Sequence, residues 1–207
     1  MMLARIHRRP TVSGELGFSA FATTVVVAGI GLLVMVLTPR ILGYVDERKK
    51  SQATTDATII ADAILKFTKH TAHFPLYADG TKTTGEPDIE LLRGPGNDPE
   101  DHPSAPWLVA RNVGELEHHV IHNTPGRAKY PTTGYFPWKG PYLDTITADP
   151  WGNRYLVNIK NANPADTPAK VVWVLSAGPN GKIETDPNAN ADAGPTPGGD
   201  DIAVRVK

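Results

Sequence analysis

The sequence contains no cysteine. That excludes a disulfide framework, a thiolate zinc site and a thiol nucleophile together. A cysteine-free chain placed outside the cytosol must be held by something else, such as an ion or partner subunits. Net charge is lacking too. The 21 Lys and Arg nearly cancel the 22 Asp and Glu, leaving −1 with both signs spread along the chain. Bulk charge therefore gives no reason to expect a nucleic-acid partner, and none is expected. Gly and Pro are plentiful instead, at 19 each among 207 residues, which predicts long irregular loops.

What stands out first is GELGFSAFATTVVVAGIGLLVMVLTPR at 14–40. No charge occurs between Glu15 and Arg40, a run of 24 residues. As a helix it would be roughly 36 Å long, enough for a bilayer core of about 30 Å. A cleavable secretory signal has a shorter apolar region ending in small residues, and Pro39-Arg40 is no such site. The run reads as a membrane anchor, with a buried core helix as the alternative. Charge does not orient it: Arg5, Arg8 and Arg9 precede it, and Arg40, Arg48, Lys49 and Lys50 follow. The remaining residues suffice for one domain with a real core.

Past Pro39 the pattern stays helical. Ala53, Ala57, Ile60, Ile64 and Phe67 recur at three- and four-residue steps as one apolar stripe. Asp46, Glu47, Arg48, Lys49, Lys50, Asp62 and Lys66 take the other faces. The expectation is one helix from Phe18 to about His70, passing through Pro39. His70 and His73, at its end, read as capping or surface residues. Residues 71–139 look irregular, with short helices at 88–92 and over NVGELEHHVIHNTP. In the latter, Val113, Leu116 and Val120 share a face. His118 and His122 stand four apart, a spacing that can bind a metal. The H-E-x-x-H order is missing, however, so no carboxylate lies between them as a base. His118, His119 and His122 read as a solvated polar face.

Three strands are expected near the end of the chain. They alternate around Tyr155, Val157 and Ile159, around Val171, Trp173 and Leu175, and around Ile202, Val204 and Val206. NANPADTPA joins the first two as a hairpin, and one sheet face packs on a helix. DPWGN at 149–153 is turn chemistry, with Trp151 as an apolar plug. The link SAGPNGKIETDPNANADAGPTPGGDD is crowded with Asn180, Glu184, Asp186, Asn188, Asn190, Asp192, Asp200 and Asp201. Such a loop buries too little apolar area to order itself, unless a hard cation orders it. Calcium takes six to eight oxygens, many from alternate residues and carbonyls.

The N-terminus resembles type IV pilins and type II secretion pseudopilins. Their precursors have a short basic leader ending in Gly, then Phe, then about twenty apolar residues; Gly17-Phe18 matches that junction. With Phe18 counted as the first mature residue, Pro39 falls where this family commonly carries proline. G-P-Y-L at 140–143, D-P-W-G-N at 149–153, S-A-G-P-N-G at 176–181 and G-D-D-I at 199–202 resemble the major pseudopilin. One departure stands out: the family's usual Glu, fifth from the new N-terminus, is Ala22 here. Pairing of that Glu with a neighbour's amine is thereby missing, as in tip-type minor pseudopilins.

The resemblance implies an α+β, ladle-shaped fold in which a long N-terminal helix packs on a small C-terminal antiparallel sheet. Its parts would be a prepilin leader at 1–17, a transmembrane helix at 18–39, its amphipathic continuation at 40–70, a loop-rich insertion at 71–139 and a sheet region at 140–207. It implies cleavage at Gly17-Phe18 by a prepilin peptidase and methylation of the new amine. It also implies a single-pass inner-membrane protein among membrane lipid, N-terminus cytoplasmic and C-terminal domain periplasmic, later drawn into a pseudopilus. Its partners would be other pseudopilin subunits, the peptidase and the inner-membrane assembly platform. One structural Ca²⁺ is implied at the Ala177 carbonyl, Asn180, Asp200 and Asp201, with Asp186 or Asp192 as supplements. The expected function is structural and not enzymatic: a pseudopilus subunit driving type II protein secretion. The alternatives are a minor or tip-type subunit, a pilin-like adhesin or DNA-binding pilin, or a membrane-anchored zinc hydrolase using His118 and His122.

Overall fold

A computed structural model describes residues 20–76, 89–110, 112–126, 129–162 and 167–207, as backbone alone at 20–21 and 36–42. The chain divides into two compact units, Met1–Tyr44 and Val45–Lys207. Helix α1, Ala20–Thr71, runs without interruption through Pro39, as expected. Four of its threonines bond back to the helix: the hydroxyls of Thr54, Thr55, Thr58 and Thr68 each donate to the carbonyl four residues earlier, at 2.7–2.9 Å. The helix stops where Ala72 turns left-handed at φ +62°. The Thr71 hydroxyl there lies 2.9 Å from both the Phe67 and His73 carbonyls.

The expected stripe is the buried one: Ala53, Ala57, Ile60, Ile64 and Phe67 are all at most 3% exposed. Its Ala57, Ile60 and Ile64 pack in a core with Leu92, Leu116, Val120, Val157, Val172 and Val174.

The sheet is larger than expected. It has five strands in the order β2-β1-β3-β4-β5. They are β1 Leu91–Arg93, β2 Val113–Glu115, β3 Leu156–Val157, β4 Trp173–Ser176 and β5 Ile202–Arg205. β1 and β2 are parallel and the other pairings antiparallel. The expected C-terminal hairpin is present, pairing Leu156 with Leu175 and Val157 with Val174. The expected strand beginning at Tyr155 is shorter, because the chain coils into a 3-10 turn at Ile159–Ala162.

Residues 71–139 thus contribute to the sheet. The expected helix at 88–92 is replaced, among the described residues, by β1, whose Leu91 and Leu92 are buried on opposite faces. The expected helix over 112–125 begins as strand β2 and becomes helix α2 only at Leu116–Val120. Short apolar runs do not distinguish strand from helix by period; here pairing with a neighbouring strand decides. Both sheet faces are covered. Leu91, Leu156, Trp173 and Leu175 meet a second core containing Trp107, Ile183 and Ala191.

The aromatic segment 130–142 is pinned near the end of α1. Tyr130 packs edge-on against Phe67 at 4.9 Å and, tilted, against His73 at 5.8 Å. Asn123 clamps the Tyr130 backbone through both amide atoms, at 2.8 and 3.1 Å. His73 and His70 are half-buried; His70 Nδ1 lies 3.3 Å from the Tyr142 hydroxyl. They are packing residues rather than simple caps. Burial raises the Tyr142 pKa, against the pull of the Lys139 amide.

Phe67→Ala is expected to cost about 3–5 kcal/mol. Ile59→Ala, on the face of α1 that is 48% exposed, should cost less than about 1 kcal/mol. Denaturant titration of the two variants measures both.

Candidate metal centre

Strands β4 and β5 bring the two ends of the acidic link together. Ser176 pairs with Ile202, so the residues after β4 lie beside those before β5. Gly178, at φ +63°, and Gly181, at φ +67°, turn the chain away from β4. A side chain at Gly178 would collide with the Asp200 carbonyl oxygen, so only glycine allows this approach. On the other side a turn closes from the Asp201 N–H to the Gly198 carbonyl at 3.1 Å.

Asp201 is 9% exposed. One carboxylate oxygen, Oδ2, accepts from the Glu184 amide at 2.9 Å, the Thr185 amide at 2.7 Å and the Thr185 hydroxyl at 2.6 Å. The other, Oδ1, is buried without a hydrogen-bond partner. Asp200 repeats the pattern: Oδ2 accepts from the Asn180 amide at 3.2 Å, and Oδ1 is buried without a partner. Burial raises the Asp201 pKa, and the nearby Glu184 charge adds to it; the Thr185 and Glu184 donors oppose the rise.

Two orphaned carboxylate oxygens in one turn fit a hard cation, because each is a negative acceptor removed from water with no proton to take. The arrangement covers part of the expected ligand set. Asn180 Oδ1 is turned to the Lys182 amide at 2.7 Å, and Ala177 is buried at the end of β4. Asp186 and Asp192 are exposed and belong to local turns, with Asp186 Oδ1 accepting from Asn188. Among the described residues no three His, Cys, Asp or Glu side chains converge as a metal cage. The remaining ligands would have to be carbonyl or amide oxygens, which suit calcium and not zinc.

Glu184 is the acidic partner left out of the expected set. It accepts from the Asn180 side-chain amide at 3.1 Å and the Asp200 backbone amide at 3.2 Å, tying the two halves of the site together. It lies 16 residues before Asp200, across a loop whose path no local pattern reveals.

DPWGN behaves as turn chemistry. Asp149 Oδ1 accepts from the Trp151 and Asn153 amides at 3.0 and 2.8 Å, and Oδ2 accepts from the buried Ser176 hydroxyl at 2.6 Å. Trp151 is no plug: it is half-buried under Lys49, whose ammonium lies 6.0 Å from the ring centre.

The histidines do not form the expected polar face. His122 falls beyond the end of α2 and is exposed, so it does not share a helix face with His118. His119, expected on a solvated face, is fully buried, with Nδ1 2.8 Å from the Tyr130 hydroxyl. A zinc pair at His118 and His122 therefore has no helical support.

Gly17 and Phe18 lie outside the described residues. Ala22 sits half-buried in the first turn of α1, and Pro39 lies within the same helix. Among the described residues no helix is long and apolar enough to cross a membrane.

Over 170 residues the chain is 24% identical to type II secretion system core protein G of Escherichia coli (strain K12), covering 82% of this chain and 86% of that protein. The chain is pseudopilin-like. No protein-family model matches it. No solved structure matches it. The aligned residues outnumber those outside 71–139, so the likeness to core protein G reaches into that segment. It is a likeness to a secretion-system core protein, which bears out the reading of the chain as no enzyme.

Gly178→Ala in this pseudopilin-like chain is expected to destabilise it by about 1–3 kcal/mol, through left-handed backbone strain and collision with Asp200. Thermal unfolding measures the loss.

Proposed function

We propose that this chain is a structural pseudopilin subunit that assembles through its N-terminal helix into a periplasmic pseudopilus and drives type II protein secretion. The observation that carries the reading is the likeness to core protein G over most of both chains. The surface of α1 supports it. Val25, Val27, Ile30, Leu32, Leu33 and Met35 are 55–75% exposed, covering every side of the helix. A helix apolar all round belongs in lipid or among other apolar helices. The proposed life of the subunit begins as a single-pass inner-membrane protein. The prepilin peptidase then cuts between Gly17 and Phe18, and the assembly platform moves the helix from lipid into a fibre of like subunits. Ala22 favours a second position, at the tip and not in the shaft, because a helix without the family's Glu offers no carboxylate to a neighbour's amine.

In the same reading Asp200 and Asp201 hold Ca²⁺, with the Ala177 carbonyl and Asn180 completing the set. The cation's contribution is structural: two bare carboxylate oxygens gain a countercharge. Calcium at about a hundred times its Kd should stabilise the full chain by about 2.7 kcal/mol. Asp201→Ala should abolish that response and lower the melting temperature in chelator as well, since Glu184 and Thr185 lose their acceptor. A melting curve indifferent to calcium would overturn this assignment.

Mass spectrometry of the chain from cells carrying a prepilin peptidase tests the larger reading. The expected species begins at N-methylated Phe18. A chain still beginning at Met1, or cut by a signal peptidase, sinks it.

A further inference from the structure

A surface arm at 97–109 is fastened to the strip 181–185, the strip that Asp201 holds from the other side. The Glu100 amide donates to the Gly181 carbonyl, and the Ile183 amide to the Glu100 carbonyl, both at 2.8 Å. The Lys182 ammonium lies 2.8 Å from the Glu100 carboxylate. The Trp107 indole N–H donates to the Thr185 carbonyl at 2.8 Å, and its ring, 3% exposed, fills the second core beside Ile183. Between these attachments, the amides of Glu184 and Thr185 go to Asp201.

The arm itself is one piece. The Asp101 carboxylate accepts from the amides of His102, Trp107 and Leu108, at 2.6–2.8 Å. His102 Nδ1 accepts from the amides of Ser104 and Ala105. The arm ends at Val109, which is 68% exposed. The arm's first residues are held elsewhere, where the Asn97 amide donates to the Gly152 carbonyl and the Arg154 amide to the Asn97 carbonyl, both at 3.0 Å. From Glu100 onward the arm follows the strip.

We infer that a divalent cation at Asp200 and Asp201 controls the docking of the 97–109 arm, and with it the surface presented around Val109. This rests on the calcium reading above. Without the cation, two buried bare oxygens and the Glu184 carboxylate crowd one turn, and like charges so placed repel. Relief comes when the 198–201 turn swings away. Asp201 then releases the amides of Glu184 and Thr185, and the arm loses the rigid strip it is fastened to. With the cation, the turn, the strip and the arm close together. Such coupling is reciprocal, so loosening the arm must weaken cation binding by the same factor.

Hydrogen exchange of the full chain in detergent, with calcium and with chelator, tests this. Amides across 97–109 should exchange about ten-fold more slowly with calcium, within the usual range for coupled sites. If calcium raises the melting temperature and protects 181–185 and 200–201 while the arm is unchanged, the inference fails and the calcium reading survives. If calcium alters neither melting nor exchange anywhere, both fail. Trp107→Phe keeps a ring in the core and removes the donor to Thr185. By titration calorimetry its calcium Kd should rise about five-fold; an unchanged Kd overturns the coupling. The exchange experiment on the unmutated chain decides the question if that variant does not fold.

Discussion

Trp173 and Leu175 face one side of β4 and Val174 the other, and all three are at most 4% exposed. A strand buried on both sides needs two coverings, and the rest of the Val45–Lys207 unit is arranged to supply them. The first is ordinary. The apolar stripe of α1 and the buried residues of α2 close one face with Ile60, Ile64, Leu116 and Val120. The second is made of segments with little regular structure, in which Trp107, Ile183 and Ala191 are the main apolar contacts.

A cover of that kind cannot be held by apolar area alone, and no disulfide is available to staple it. Buried polar groups do the holding. Asn158 donates its side-chain amide to the Val171 and Pro187 carbonyls and accepts from the Trp173 amide. Asn161 donates to the same two carbonyls. Asp149 fixes the DPWGN turn to the end of β4 through Ser176. Each bond contributes modestly, but each buried partner would be costly alone, so the set locks one path for the loop. Asp200 and Asp201 each keep one buried oxygen without a hydrogen-bond partner, and the Trp173 indole nitrogen likewise has none.

Several of these features were legible in the sequence and others were not, for physical reasons. The stripe from Ala53 to Phe67 was readable because a long helix repeats its signal many times. The β3–β4 hairpin was readable from paired apolar runs around a polar turn, but its register was not. The run Val171–Leu175 could also have warned of two buried faces: it is apolar throughout, where a half-buried strand alternates. β1 was not readable. Three residues carry too little pattern, and the strand exists because Leu92 and Arg93 find Val157 and Leu156 far along the chain. His119 looked like its two neighbours among the histidines, and the Tyr130 hydroxyl that meets its buried ring is brought in by a loop. At the candidate site the carboxylates Asp200 and Asp201 were visible as a pair. Glu184 was not, because its place depends on the fold of the whole loop.

The composition of the site also bears on when it would be filled. Cation affinity in oxygen sites rises with ligand charge and rigidity, from the weak sites of extracellular modules to the tight ones of cytosolic buffers. Here two carboxylates have bare oxygens, Asn180 is neutral, and Glu184 is engaged by two amide donors. Ligands of such limited charge belong to the weak end of that range. A weak site is empty at cytosolic calcium and filled where calcium is plentiful. In the proposed topology the C-terminal unit meets that supply only after crossing the membrane. The second covering of the sheet would then tighten in the compartment where subunits pack against one another, and the missing cysteines would have their substitute there.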